Sequence, residues 1–286
     1  MDKLTIEARA KVNLSLDVLG KMDDGYHEIL TVMQTLSLHD DVELTVKKGS
    51  GAVTAKSNRY YLPRDERNIA GRAARLFLTE AGIADRDVSI YIKKRNPVCA
   101  GLGGGSTDGG AVLVGLNRMF GTGFTAEDMR KMGEKLGSDV PFTIEGGTAL
   151  AGGRGEKLTQ LKPLPKCRIV VCKPEFSVST PALYNAIDNR KIKLRPNTEG
   201  MLNALENGDL NGVAKRLFNV FEEPVSEEHS DILRIKDALY DYGALGASMS
   251  GTGSAVFGIF DDADGAERAY RALKALYKES FLTESV

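Results

Sequence analysis

The sequence is short of the features that would mark a membrane, secreted or metal-cluster protein. None of its 286 residues lie in an apolar run long enough to span a bilayer, and the Met-Asp-Lys start has no hydrophobic signal core. A soluble, cytoplasmic protein is therefore expected. The three cysteines, Cys99, Cys167 and Cys172, form neither an even disulfide set nor a Cys-x-x-Cys pair, which suits a reducing compartment. The three histidines, His27, His39 and His229, are scattered and match no zinc motif. There is little charge of either sign in excess: 38 basic residues against 39 acidic ones, interspersed, give a net charge of −1. That balance removes the broad basic footprint of a nucleic-acid or membrane-surface binder and leaves a small ligand as the expected partner. No internal repeat or low-complexity tract is present, so solenoid architectures are set aside.

Glycine, by contrast, is plentiful, and it is concentrated where chemistry is expected. Val88, Ile90 and Ile92 alternate with polar residues as a half-buried strand. The strand leads into Pro97-Val98-Cys99-Ala100-Gly101-Leu102-Gly103-Gly104-Gly105-Ser106-Thr107-Asp108. Beyond it, Val112, Leu113, Leu116, Met119 and Phe120 recur at helical spacing, with Ser106 or Thr107 as the expected N-cap. A glycine loop running into a helix start aims uncovered backbone N–H groups at one point and favours an anion there. A phosphate group is the expected occupant; a tight surface turn is the alternative. The loop is not a P-loop, because no lysine lies within it or in the next several residues, and Ser106 stands where the dinucleotide fingerprint needs its third glycine.

The rest of the chain reads as two halves of different texture, giving an α+β, two-domain expectation with domains at 1–160 and 161–286. Alternation over residues 4 to 47 predicts several antiparallel strands. A helix follows Pro63-Arg64-Asp65, carrying Ile69, Ala73, Leu76 and Phe77 and stopping near Gly82, and Thr125-x-x-Asp128 opens another that ends by Gly137. In the second half a strand covers Cys167 to Cys172, and Thr180-Pro181 supplies an N-cap and first helical residue. Two helical stretches then stop at Asn207-Gly208 and Gly243, and Met249-Ser250-Gly251-Thr252-Gly253 turns into the strand Ala255 to Phe260. The last helix carries Ala269, Leu273 and Leu276.

Three blocks occurring in order, Lys11-Val12-Asn13-Leu14, Gly101 to Asp108, and Met249 to Gly253, resemble those of the GHMP small-molecule kinase superfamily. Asp24-Gly25-Tyr26-His27-Glu28 and Leu136-Gly137-Ser138-Asp139-Val140-Pro141-Phe142 are similar to the members that phosphorylate a cytidylyl alcohol. The glycine loop alone also suits galactokinase-, homoserine kinase- and mevalonate kinase-like members. The resemblance extends over nearly the whole chain. It implies a ribosomal-protein-S5-like N-terminal domain, a ferredoxin-like C-terminal domain and an ATP-dependent kinase working with Mg2+ as a monomer or homodimer.

Phosphoryl transfer to an alcohol needs a triphosphate cradle, a divalent cation and a group that orients or deprotonates the hydroxyl. The resemblance implies Asp139 for the last role and Lys11 as its electrostatic partner. On the residues alone, Asp139 follows a helix end and precedes Pro141, which biases Val140 toward extended backbone; a loop carboxylate results, and a solvated or capping aspartate is the plain alternative. Lys11 sits in apolar alternation two residues before Asn13, on the same strand face. ATP contacts are implied at Pro97, Ala100, Gly101, Leu102, Gly103, Gly104, Gly105, Ser106 and Thr107, with Asn68 for adenine. Asn13 and Asp139 would meet the acceptor, and Tyr26, His27 and Tyr184 its cytidine end, although Tyr184 reads equally as a core aromatic. Ser106 is the candidate Mg2+ ligand, and a plain N-cap explains it as well. The chain departs from the family pattern at Arg9, Thr107, Gly109-Gly110 and Asn219-Val220-Phe221-Glu222. Two other functions stay open: a kinase for another small alcohol of the homoserine or mevalonate type, and a non-catalytic nucleotide-binding sensor.

Overall fold

The computed structural model describes residues 2–65 and 67–286, and its internal contacts group them into two units, each assembled from separate stretches of chain. The first unit comprises the segment ending at Ala10, His39–Val98 and Gly103–Gly146; the second comprises Lys11–Leu38, Cys99–Leu102 and Gly147–Val286. Two long strands, β1 (Asp2–Lys21) and β2 (His27–Lys48), supply residues to both. The several opening strands read from the alternation are thus two, of 20 and 22 residues. No helix among the described residues is long and apolar enough to cross a membrane.

In the first unit β3 (Val53–Ser57) runs parallel to β4 (Arg86–Lys93), and β4 runs antiparallel to residues 41–48 of β2. Period-two alternation turns Val42, Leu44 and Val46 and then Val88, Ile90 and Ile92 into the core. That core is closed by α1 (Ile69–Glu80), α2 (Gly104–Phe120), α3 (Ala126–Glu134) and α4 (Val140–Glu145), through Phe77, Val112, Leu113, Leu116, Met132 and Val140 among others. The capping box at α3 forms as read: the Thr125 hydroxyl accepts from Asp128 N–H at 3.2 Å while the Asp128 carboxylate accepts from Thr125 N–H at 2.9 Å.

Gly109-Gly110, a weak pair in isolated-helix terms at about 1 kcal/mol per glycine, has a packing reason. A Cβ at Gly109 would stand 2.7 Å from Ile69 Cγ2, and one at Gly110 would stand 2.3 Å from Thr143 Oγ1. Their bareness lets α1 and α4 close onto the first turns of α2.

The second unit contains β5 (Thr148–Gly152), antiparallel both to residues 31–34 of β2 and to β6 (Lys157–Gln160). It continues with β7 (Arg168–Lys173), α5 (Thr180–Asp188), α6 (Thr198–Glu206), α7 (Leu210–Ala214) and β8 (Phe218–Asn219), the last parallel to β1 at Ser15. After α8 (Glu222–Glu228) and α9 (Asp231–Asp241), β9 (Gly246–Met249) and β10 (Val256–Phe260) form the expected hairpin, followed by α10 (Ala263–Leu276) and β11 (Glu279–Glu284). The order β11-β7-β10-β9 is antiparallel throughout. Ile232, Ile235 and Leu239 of α9 and Ala269 and Leu273 of α10 pack with Val170, Cys172, Val256 and Phe260 of this sheet. Burial, above all, pushes the Cys172 thiol up to about 12, as expected of a packed cysteine. Helix α5 starts one residue before the expected place: Ser179 occupies the N-cap, with Thr180 and Pro181 as the first two helical residues.

Candidate active site

The glycine run is shared out between the two units, Cys99–Leu102 in the second and Gly103 onward in the first. In the first unit α2 begins earlier than the sequence suggests. Gly103, at φ +72°, is its N-cap and offers no side chain, so neither Ser106 nor Thr107 caps the helix. The first intrahelical bond runs from Thr107 N–H to Gly103 O at 2.8 Å. The N–H groups of Gly104, Gly105 and Ser106 therefore precede the ladder at the positive end of a 17-residue helix. Ser106 lies in that first turn, and its hydroxyl makes no hydrogen bond among the described residues. Among those residues no group of three or more His, Cys, Asp or Glu side chains could hold a metal ion.

A lysine does serve this helix start, but it arrives from the strand side. Lys94 Nζ donates to Asp40 Oδ2 at 2.5 Å and to Asp108 Oδ2 at 2.9 Å, both buried, and to Gly104 O at 3.1 Å, which is part-buried. Asp40 Oδ1 accepts in turn from Arg95 N–H at 2.5 Å and Asn96 N–H at 2.8 Å. Burial works to lower the Lys94 pKa, yet Asp108 and Asp40 outweigh it and the value is raised. For Asp108 burial dominates, reinforced by Asp40 and opposed by Lys94, and its carboxyl is raised well above the usual carboxylate range. The Lys94–Asp40 pair spans 54 positions and carried no local signal.

Asp139 is the N-cap of α4, with αR backbone at φ −82° and ψ −17°. Val140 and Pro141 are helical, so the extended Val140 read from the Pro141 rule is corrected: proline is tolerated in a first helical turn, where its missing N–H has no helical partner to lose. Asn68 is the N-cap of α1; its Oδ1 accepts from Ala70 N–H at 3.1 Å and its Nδ2 donates to Pro63 O at 2.8 Å. Pro97 is buried in the same unit.

In the second unit Lys11 and Asn13 project from one face of β1, both nearly inaccessible at 3 % and 2 % exposure. Lys11 Nζ donates to Asn13 Oδ1 at 2.7 Å, and Asn13 Nδ2 donates to Thr31 Oγ1 at 2.8 Å. The second glycine-rich turn joins them. Asn13 N–H donates to Ser250 Oγ at 3.2 Å, the Ser250 hydroxyl donates to Gly101 O at 2.9 Å, and Lys11 N–H donates to Leu102 O at 3.2 Å. A Cβ on Gly101 would stand 1.9 Å from Ser250 O, so only glycine allows this approach. Ala100 O accepts from Ala255 N–H at 3.1 Å. Asn219 steadies the turn, donating to Met249 O at 2.7 Å and Gly251 O at 2.8 Å. Thus Lys11, Asn13, the Ala100–Leu102 segment and the third motif are gathered in this unit, and Ser250 and Asn219 are the connecting residues that sequence reasoning missed.

The expected cytidine residues separate into two groups. His27 stacks on Tyr184 with ring centroids 4.5 Å apart at 25°, and Tyr184 meets the edge of buried Phe221 at 5.0 Å. Tyr26 stands apart at 57 % exposure, with the Arg154 guanidinium 4.1 Å over its ring. Phe221 lies in the segment that departs from the family pattern, which accounts for its omission. The second unit also has an open pocket of about 700 Å3 lined by Ile187, Arg190, Val220, Lys236 and Ser248 among others, none of them a site residue expected from the sequence.

Comparison with known proteins bears on all of this. Residues 68–147 match the family described as GHMP kinases N terminal domain, and residues 201–279 match GHMP kinases C terminal. The 4-diphosphocytidyl-2-C-methyl-D-erythritol kinase of Caldicellulosiruptor saccharolyticus is 45 % identical over 98 % of this chain and 96 % of its own length. The enzyme of that name from Clostridium perfringens is 43 % identical over 99 % of this chain and 98 % of its own. A crystal structure of 4-(cytidine 5'-diphospho)-2C-methyl-D-erythritol kinase superposes with a TM-score of 0.81 at 33 % identity, covering 99 % of each chain. Homoserine kinase from Cytophaga hutchinsonii, at TM-score 0.77 and 20 % identity over 100 % of this chain and 95 % of its own, shares the fold.

Proposed function

Because the chain belongs to the GHMP kinase family, we propose that it phosphorylates the 2-hydroxyl of 4-diphosphocytidyl-2-C-methyl-D-erythritol with ATP, a step of isoprenoid precursor synthesis. The observation that carries the substrate assignment is full-length likeness at 45 % identity to a kinase named for it. A reducing, cytoplasmic setting accords with three unpaired thiols.

In the reaction the acceptor oxygen attacks the γ-phosphorus, the bond from that phosphorus to the β–γ bridging oxygen breaks, and ADP departs. Asp139 orients the hydroxyl and takes its proton, while the Lys11 ammonium offsets charge on the transferring phosphoryl group. The uncovered N–H groups of Gly104, Gly105 and Ser106 receive the triphosphate, with Pro97, Ala100, Gly101, Leu102 and Thr107 shaping the loop around it. Asn68 is assigned to adenine, Asn13 to the acceptor chain, and Tyr26, His27 and Tyr184 to cytidine. A hard cation carried by the triphosphate fits the uncommitted Ser106 hydroxyl, which would hold Mg2+ as one oxygen ligand; bound there, the ion supplies charge neutralisation to the phosphates.

Steady-state assay of the purified chain with ATP and a panel of alcohols tests the reading. Turnover of the cytidylyl substrate is expected; turnover of homoserine or mevalonate in its place, or ATP binding with no transfer to any alcohol, overturns it. Asp139→Asn is expected to retain ATP affinity and lose at least about a hundredfold in turnover, the low end for an acid–base group. Near-normal turnover in that variant removes Asp139 from the chemistry.

A further inference from the structure

The His27 ring is gripped at its edge as well as on its face. Its Nε2 lies 2.7 Å from Asp188 Oδ1, at the last residue of α5, four positions beyond the Tyr184 that stacks on it. The second Asp188 oxygen faces Lys21 Nζ at 3.6 Å. The His27 side chain is only 10 % exposed, so a tilt that broke either contact would have to displace Tyr184. Asp188 acts as the acceptor: the hydrogen bond from His27, above all, holds its carboxyl below the usual range, and an ionised carboxylate can only accept.

We propose that Asp188 is a positioning residue that makes His27 select cytosine over uracil, by drawing the ring proton onto Nε2 and leaving Nδ1 as a hydrogen-bond acceptor. The inference rests on the assignment of His27 to the cytidine end. The two pyrimidines differ at C4, where cytosine carries an amine that donates and uracil a carbonyl that only accepts. An Nδ1 lone pair receives the amine; against the carbonyl it sets two acceptors face to face. A polar site of this kind rejects the wrong partner strongly, because the mismatch leaves desolvated groups unpaired. Which ring nitrogen carries the proton is fixed by what the other nitrogen meets, and here that is a carboxylate 161 residues away in sequence.

Three measurements on the full chain decide the matter. Imidazole 15N shifts of the free protein are expected to show His27 protonated on Nε2 and not on Nδ1 in the wild type. Asp188→Ala should give averaged ring shifts. In that variant the preference for cytidine diphosphate over uridine diphosphate, measured calorimetrically, should fall at least about tenfold, the low end for a lost hydrogen bond to a charged group. KM for the cytidylyl substrate should rise by a similar factor with kcat changed much less, because the residue acts in binding. Asp188→Asn, nearly the same shape, should fall between the two and keeps the test valid if the alanine variant folds poorly. A wild-type proton on Nδ1, or an unchanged cytidine preference in folded Asp188 variants, overturns the inference. Cytidine-selective binding without turnover would overturn the kinase reading and leave this one standing.

Discussion

Lys94 in the first unit and Lys11 in the second are both buried, and the contacts described for them differ. Lys94, in the first unit, is clasped by the carboxylates of Asp40 and Asp108 and by Gly104 O. Lys11, in the second, donates to the amide oxygen of Asn13 as one of its contacts, and Asn13 is itself held by Thr31. The carboxylates of Asp40 and Asp108 offset the Lys94 charge where it sits, while the Asn13 amide serves to aim the Lys11 ammonium. Lys94 braces the start of α2 through Gly104 O, whereas Lys11 is the lysine proposed above to act on the phosphoryl group. The absence of a lysine from the glycine loop excludes a P-loop and still says nothing about the lysine that meets the helix start from the strand side.

Removing each ammonium while keeping its volume is the sharpest way to break that contrast. Lys94→Met leaves two buried carboxylates without their cation, and about 3–5 kcal/mol of stability should be lost, the range for breaking a buried ion pair by deleting one partner. Denaturant titration of the purified variant measures this; a loss under about 1 kcal/mol would mean the cluster is solvated in a way its burial denies. Lys11→Met should invert the pattern. Its chief effect should be on turnover, which falls by about a hundredfold to a thousandfold, as when one charge-stabilising donor is removed, while the Asn13 oxygen loses a donor. If both variants lose stability equally and retain activity per folded molecule equally, the distinction between the two lysines collapses.

What the sequence made legible follows from the range over which each contact acts. The succession of β4, glycine loop and α2, the capping box at Thr125 and the β9–β10 hairpin are local, and each appears as read. Boundaries shifted where one rule was overridden by another. Gly103 in left-handed conformation starts α2 before the better capping residues are reached, and Pro141 sits comfortably inside the first turn of α4. Short elements such as β6 and β8, of four and two residues, carry too few for a period to show. A single cut near residue 160 is also all that a linear reading can express, whereas grouping by contact interleaves the segments. Among the candidate site residues, the nearness of Lys11 to Asn13 was legible because one motif holds both, and that of His27 to Tyr184 through resemblance. Asp188, Asp40 and Ser250 were not, since each matters only through a partner 54 to 237 positions away, and no periodicity encodes that.

The smallest expected effect refines the comparison by asking what Lys94's carboxylates do with pH. Asp108 is raised above the usual carboxylate range, first by burial and then by Asp40. A raised acid binds its proton more tightly in the folded chain than in the unfolded one, so folded stability must decline as pH climbs from the ordinary carboxylate range through the raised value, and then level off. Lys94, also raised, contributes stability that persists through neutral pH and is lost only on passing its own alkaline value, so it cannot mask that decline. Asp108→Asn keeps the shape and an oxygen for Lys94 but removes the titration, and should flatten a slope that, for one proton, reaches at most about 1.4 kcal/mol per pH. Melting temperatures of both proteins across mildly acidic to neutral pH provide the measurement. Parallel curves would show that Asp108 titrates alike in the folded and unfolded chains, and the first unit's cluster would then be a plain ion pair rather than one in which burial raises Asp108.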